Sequence, residues 1–400
     1  MVSIPELADD LVQLILLKLS VKLLIRFRSV SKSWKDIISN NAFIYEQHSN
    51  NSLALSEEKG DHTQSFLAFH LHLKPDVDKY FSRLSISQTE GMFSSRIDEV
   101  FHLPYISCPT SKFFDCPLIY PAGLGIYCLF EFSTNRAALW NPTVKELKEL
   151  PSSPFKVEDS TEQYRYGFAH VFFKDGVFSY KVGKMKIRWD KGNKVYWLTI
   201  DLYSSFEDSW KQLKDCRRLE RGGGTCTNQS WIFSSAILND TFHCLNWLSR
   251  EDPHIITFDM SSEEFGRFEV PDFLKHDSRY NLGLSLLTEF DENFLSLLLY
   301  WENNVEEIYI DVWVMSKYGI ATSWTKQSTT GPFINIDSIE MLGMSKRAGV
   351  LFLDVDKGLS FCRLGSPKLW HLDYEKFYQI VENRESLVSF NGTSDGLKKL

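Results

Sequence analysis

Several signatures of chemistry are missing from this chain of 400 residues. Its seven cysteines are odd in number, scattered, and include no Cys-x-x-Cys pair. That excludes a regular disulfide framework and a thiolate zinc site, and it leaves free buried thiols suited to a reducing compartment. No His-Glu-x-x-His occurs, and the glycine-rich stretch from Glu220 to Cys226 lacks the Lys-Ser/Thr of a phosphate-binding loop. Long apolar runs are equally scarce. The best candidate, Leu11 to Ile25, follows Asp9 and Asp10 and carries Lys18 and Lys22 inside it. A signal sequence or membrane span would not place charge there. An excess of basic charge is also absent: 44 Lys and Arg against 52 Asp and Glu give a net charge of −8. A general nucleic-acid binder needs a basic stripe to neutralise phosphates. Neither nucleic acid nor membrane is therefore expected as a partner, and the expected location is the cytoplasm, with the nucleus as a second.

What is present is apolar and aromatic: 43% hydrophobic residues, with 30 Phe, 16 Tyr and 11 Trp. Rings favour the pleated, half-buried surface of a sheet, so a β-rich body is expected. Four hundred residues exceed one ordinary core unless the architecture repeats.

Residues 1 to about 45 follow helical spacing. Asp9 or Asp10 can cap a first helix, with Leu11, Leu14, Ile15 and Leu19 at intervals of three and four. Ser20 can cap a second, with Leu23, Leu24 and Phe27 on its apolar side. Ser31 can cap a third, in which Trp34, Ile37 and Ile38 share a face. Three short helices cannot bury that much apolar surface among themselves. The segment Phe27 to Ile38 is therefore expected to dock on a protein partner, with an aromatic anchor and spaced apolar side chains.

From about residue 65 the period becomes two, and short apolar strands alternate with turns rich in Ser, Asp, Asn, Gly and Pro. A loose repeat runs through them. Leu139 to Pro154 is similar to Thr257 to Asp272: a strand ends in an aromatic, a polar turn follows, and an apolar residue stands seven positions later. Looser copies begin at Thr199, Asp311 and Leu359. Anchored on Trp140, Ile200, Phe258, Val312 and Phe361, the spacings are 60, 58, 54 and 49, and Phe66 to Ile86 supplies a sixth unit. A period near 50 with several strands per unit predicts propeller blades, although the Gly-Gly doublet of kelch blades is missing from these units.

The run Leu7 to Ile38 resembles the F-box, the helical module that binds the SKP1 adaptor of SCF ubiquitin ligases. The positions that carry the likeness are Leu7, Asp10, Leu11, Ile15, Leu16, Leu19, Arg26, Phe27, Val30, Ser31, Lys32, Trp34 and Ile38. Ala8 and Ser20 stand where the family has prolines. Further on, "LWNPTVKELKELP", "IITFDMSSEEFGRFEVPD" and "DVWVMSKYGIATSWTKQ" are similar to the F-box-associated domain of plant F-box proteins, and "ENRESLVSFNG" to that family's closing segment. The third motif also resembles S-locus F-box proteins, which recognise a basic secreted ribonuclease in pollen self-incompatibility.

The resemblance implies an α+β multidomain chain. A small three-helix F-box (4–45) and a linker (46–64) precede a large all-β substrate-recognition domain (65–392), an irregular kelch-like propeller of about six blades. A flexible tail (393–400) would follow. It implies a substrate receptor of an SCF ligase, a non-enzymatic adaptor that binds a SKP1-like protein and through it a cullin. Its β domain would hold a protein target, a basic S-ribonuclease being one candidate. The implied SKP1-binding residues are Leu7, Asp10, Leu11, Leu14, Ile15, Leu19, Leu24, Val30, Trp34 and Ile38. No catalytic residue, cofactor or metal is expected. His70 and His72 lack a third ligand nearby, as does His243 in "FHC", and His170, His243, His254 and His371 are expected as hydrogen-bonded blade histidines. The acidic turn Trp301 to Glu307 is expected as a solvated loop.

Overall fold

The computed structural model describes residues 9–57, 63–70, 80–89, 92–101, 118–131, 136–155, 162–190, 195–213, 219–220, 235–246, 253–280, 286–290, 294–345, 349–356, 358–372, 377–390 and 397–399. Four helices come first: α1 (Asp9–Leu16), α2 (Val21–Phe27), α3 (Lys32–Ile38) and α4 (Asn41–Glu57). Asp9 and Asp10 lie in the first turn of α1, where carboxylates complement the helix dipole. Ser31 caps α3, its hydroxyl accepting the Trp34 N–H at 3.1 Å. Ser20 stands at the N-cap of α2 with φ −64, but its side chain makes no cap hydrogen bond.

The fourth helix corrects the expected linker, because it runs on through residues 46–57. The polar run Glu46 to Ser52 reads as loop on composition. Tertiary contacts override that: the Tyr45 ring stacks on Phe173 at 4.7 Å, and Gln47 donates to the Leu19 carbonyl at 3.4 Å.

Six antiparallel sheets of four or five strands follow. They are blade 1 (63–101), blade 2 (118–149), blade 3 (162–213), blade 4 (235–269), blade 5 (286–333) and blade 6 (339–371). Strand Phe377–Glu382 then returns to become the inner strand of blade 1, antiparallel to Thr63–His70 with Phe66 opposite Glu382. This closure makes a six-bladed β-propeller and covers the inner edge that Thr63–His70 would otherwise leave open. Strand Leu397–Lys399 pairs with Glu146–Glu149 at the outer edge of blade 2, so this part of the expected flexible tail is ordered.

The sequence repeat acquires a physical meaning here. All five anchors lie on the third strand of successive blades, and all are fully or almost fully buried. In blades 2 and 4 the residue seven positions on is the cross-strand neighbour: Trp140 faces Leu147, and Phe258 faces Phe265. In blade 3 the same geometry belongs to Tyr203 and Trp210, so Ile200 sits three residues off register. Asn141 and Asp259, next to the anchors, close the following turn. Asn141 Oδ1 accepts from Thr143 N at 2.9 Å, and Asp259 Oδ1 accepts from Ser261 N and Ser262 N at 2.8 and 2.7 Å.

Candidate functional site

The helical unit is seated on the propeller. Leu16, Leu17, Val21, Leu24, Ile38, Phe43 and Ile44 share one apolar cluster with Ile119, Leu129, Trp140 and Leu147 of blade 2 and with Leu387, Val388 and Phe390. Lys22 pairs with Glu385 at 3.0 Å, and Asn41 donates to the Gly176 carbonyl at 3.1 Å. The surface that looked unpartnered in the sequence is thus half covered by the chain itself.

The other half is bare. Leu11, Leu14 and Ile15 are 52%, 57% and 54% exposed on one face of α1, and Leu23 and Val30 are 38% and 59% exposed. Such a concentration of exposed apolar side chains within twenty residues marks an interaction surface. Asp10 stands exposed at the start of this face. Leu19 and Trp34 are half-buried against the cluster, with the Trp34 ring 5.3 Å from Phe27. Leu24 and Ile38 are completely buried; they hold the helices together and are not surface contacts. Leu7 and Ala8 lie outside the described residues. Leu23 was not singled out from the sequence as a contact. Its exposure follows from Leu24 taking the inward position.

A central channel of about 550 Å³ runs between the inner strands and is lined at one mouth by Tyr45, His48 and Ser49 of α4. His170 Nε2 lies 2.8 Å from Asp240 Oδ1 at this channel, and burial pulls its pKa below the ordinary histidine value. His243 Nε2 lies 2.9 Å from the Tyr318 hydroxyl, and burial pulls it down to about 4. His371 Nδ1 lies 2.8 Å from Ser360 Oγ. Among the described residues no group of three His, Cys, Asp or Glu side chains could hold a metal ion. His72 and residues 221–226 lie outside them. Cys128, Cys244 and Cys362 are buried thiols, and burial raises the Cys362 thiol to about 12. In the acidic turn Trp301 to Glu307, Asn303 Oδ1 accepts from Val305 N and Glu307 N at 3.0 Å. A Gly-x-Ser-x-Gly spacing occurs at 392–396, but a strand follows it at Leu397 where a nucleophile elbow needs a helix.

A six-bladed propeller carrying a short helical unit with an exposed apolar face places the chain among propeller proteins with an appended helical module. Residues 110–392 match the family described as the F-box associated beta propeller domain, and residues 4–45 match the F-box domain. The chain belongs to this F-box family. It is 24% identical over 336 residues to F-box protein CPR1 of Arabidopsis thaliana, covering 80% of this chain and 72% of that one. F-box/kelch-repeat protein At3g23880 of the same plant is 25% identical over 338 residues, covering 82% and 80%. Among solved structures, TolB from Acinetobacter baumannii aligns at 12% identity with a TM-score of 0.40, over 85% of this chain and 71% of TolB. That likeness is too distant to bear on function.

Proposed function

We propose that this protein is the substrate-receptor subunit of an SCF ubiquitin ligase. The exposed face of α1 docks a SKP1-like adaptor, which links the receptor to a cullin, and the propeller holds a protein target within reach of the ubiquitin-charged enzyme. The receptor acts by raising local concentration and supplies no acid, base or nucleophile of its own. It works in the cytoplasm and the nucleus.

The observation that supports this reading best is the bare triplet Leu11, Leu14 and Ile15 in a unit that matches the F-box. Helix α4 and the turns at Gly123–Gly125 and Asp175–Gly176 occupy one face of the ring. The target is assigned to the opposite face, which carries the connection between blades 5 and 6; Val305 and Ile334 are exposed there, at 70% and 58%. A basic secreted ribonuclease, of the kind that S-locus F-box proteins recognise, is the first target to try, given the net charge of −8.

The test is co-purification of the full chain with a plant SKP1-like protein. A 1:1 complex is expected, and Leu11→Ser or Ile15→Ser should abolish it without moving the melting temperature, because both side chains are solvent-facing. A chain that ignores every such adaptor would sink the proposal.

A further inference from the structure

The segment 383–390 follows the ring-closing strand and belongs to no sheet, yet Ser386, Leu387 and Val388 are 1–2% exposed. Several of its backbone N–H groups donate to blades 1 and 2. Asn383 N donates to the Ser65 carbonyl at 2.8 Å, and Arg384 N to the Tyr127 hydroxyl at 3.0 Å. Ser386 N donates to Thr143 Oγ1 at 3.2 Å, and Phe390 N to Glu146 Oε2 at 2.9 Å. The buried amide of Asn141 donates to the carbonyls of Ser386 and Val388 at 3.2 and 2.7 Å. Gly125, at φ +70, lets the segment pass, since a Cβ there would meet Arg384 O and Ser386 Cβ at 2.7 Å. On the segment's other side, Leu387, Val388 and Phe390 share the apolar cluster of the F-box helices, and Glu385 pairs with Lys22.

We propose that this segment is a strap through which closure of the ring controls the F-box. Strand Phe377–Glu382 closes the ring on blade 1, and the chain leaves it directly into the strap. The seat of α1 to α4 is therefore completed by residues that lie far later in the chain. A receptor whose propeller is unfinished has a loosened F-box and recruits its adaptor poorly. The adaptor arm of this inference rests on the function proposed above; the coupling itself does not.

Backbone amide exchange on the full chain separates the two. Asn141→Asp keeps the acceptor that closes the turn at Thr143 but removes both donors to the strap. Exchange at 384–390 should rise at least tenfold, and exchange in α1 and α2 should rise with it, while strand Ile308–Met315 of blade 5 stays unchanged. Approached from the other side, Leu24→Ala in α2 should raise exchange at 384–390 with blade 5 again unchanged. Helices that stay protected in Asn141→Asp while the strap opens would overturn the proposal. If Asn141→Asp also unfolds blade 5, Leu24→Ala decides: an unmoved strap overturns the coupling, and a loosened one supports it. With coupling present, Asn141→Asp should weaken adaptor binding at least tenfold. A wild-type chain that binds no adaptor would overturn the function proposed above and leave the exchange result standing.

Discussion

At the scale of single residues, buried polar groups set much of the behaviour. Asp201 is completely buried, and its carboxylate accepts from Lys186 Nζ at 2.7 Å and Gln212 Nε2 at 3.0 Å, while the Lys186 side chain is 5% exposed. Removing one member of a buried pair strands the other charge, so Asp201→Asn should cost about 3–5 kcal/mol in urea unfolding. His243 behaves differently, because it is buried neutral. Its pKa falls from 6.5 unfolded to about 4 folded, through burial. Between those values the unfolded chain binds a proton that the fold refuses. The neutral ring's contribution is complete above pH 6.5 and is lost as pH falls toward 4, on the order of 3 kcal/mol. Urea midpoints at pH 7 and pH 4.5 should therefore differ less in His243→Gln than in the wild type.

At the scale of elements, helix starts were legible and helix extent was not. Asp9 and Asp10 in the first turn of α1, and Ser31 capping α3, act locally on a few backbone N–H groups. Local chemistry of that kind is visible in a one-dimensional pattern. The length of α4 depends on Phe173 and Leu19, far away in the chain, so residues 46–57 passed for a linker. The inward and outward assignment was also split: Leu11, Leu14 and Ile15 share an exposed face, whereas Leu24 and Ile38 are core. Periodicity finds an apolar stripe but cannot tell which stripe meets the ring. Ser20 offers a test at this scale. Its φ of −64 matches the value a proline ring imposes, so Ser20→Pro should stabilise the chain by about 0.4–1 kcal/mol, chiefly by restricting the unfolded state. A lower urea midpoint would show that the serine N–H is needed.

At the scale of the whole molecule, helices and propeller share one apolar cluster, joined by the strap. One cooperative transition is therefore expected. Helical ellipticity at low wavelength and tryptophan fluorescence should give coincident thermal curves, since most tryptophans lie in the blades. Two separated transitions would mean that the shared cluster contributes little. The ring also accounts for how about 330 residues avoid splitting into separate domains: each blade buries its two faces against neighbours, and the last strand seals the first blade.

The sequence by itself determined the helical start, the six-fold repetition and the family, because caps, two-residue alternation and the aromatic-to-apolar interval of seven are short-range patterns. The polar turn expected after the anchors Trp140 and Phe258 is there, and the structure shows Asn141 and Asp259 closing it. Tertiary structure alone decided which face of α1 stayed bare, that residues 383–390 run beneath the F-box, and that Asn141 ties them down. Those facts depend on contacts between residues some 240 to 370 positions apart in the chain, and spacing along one strand of sequence carries no record of them.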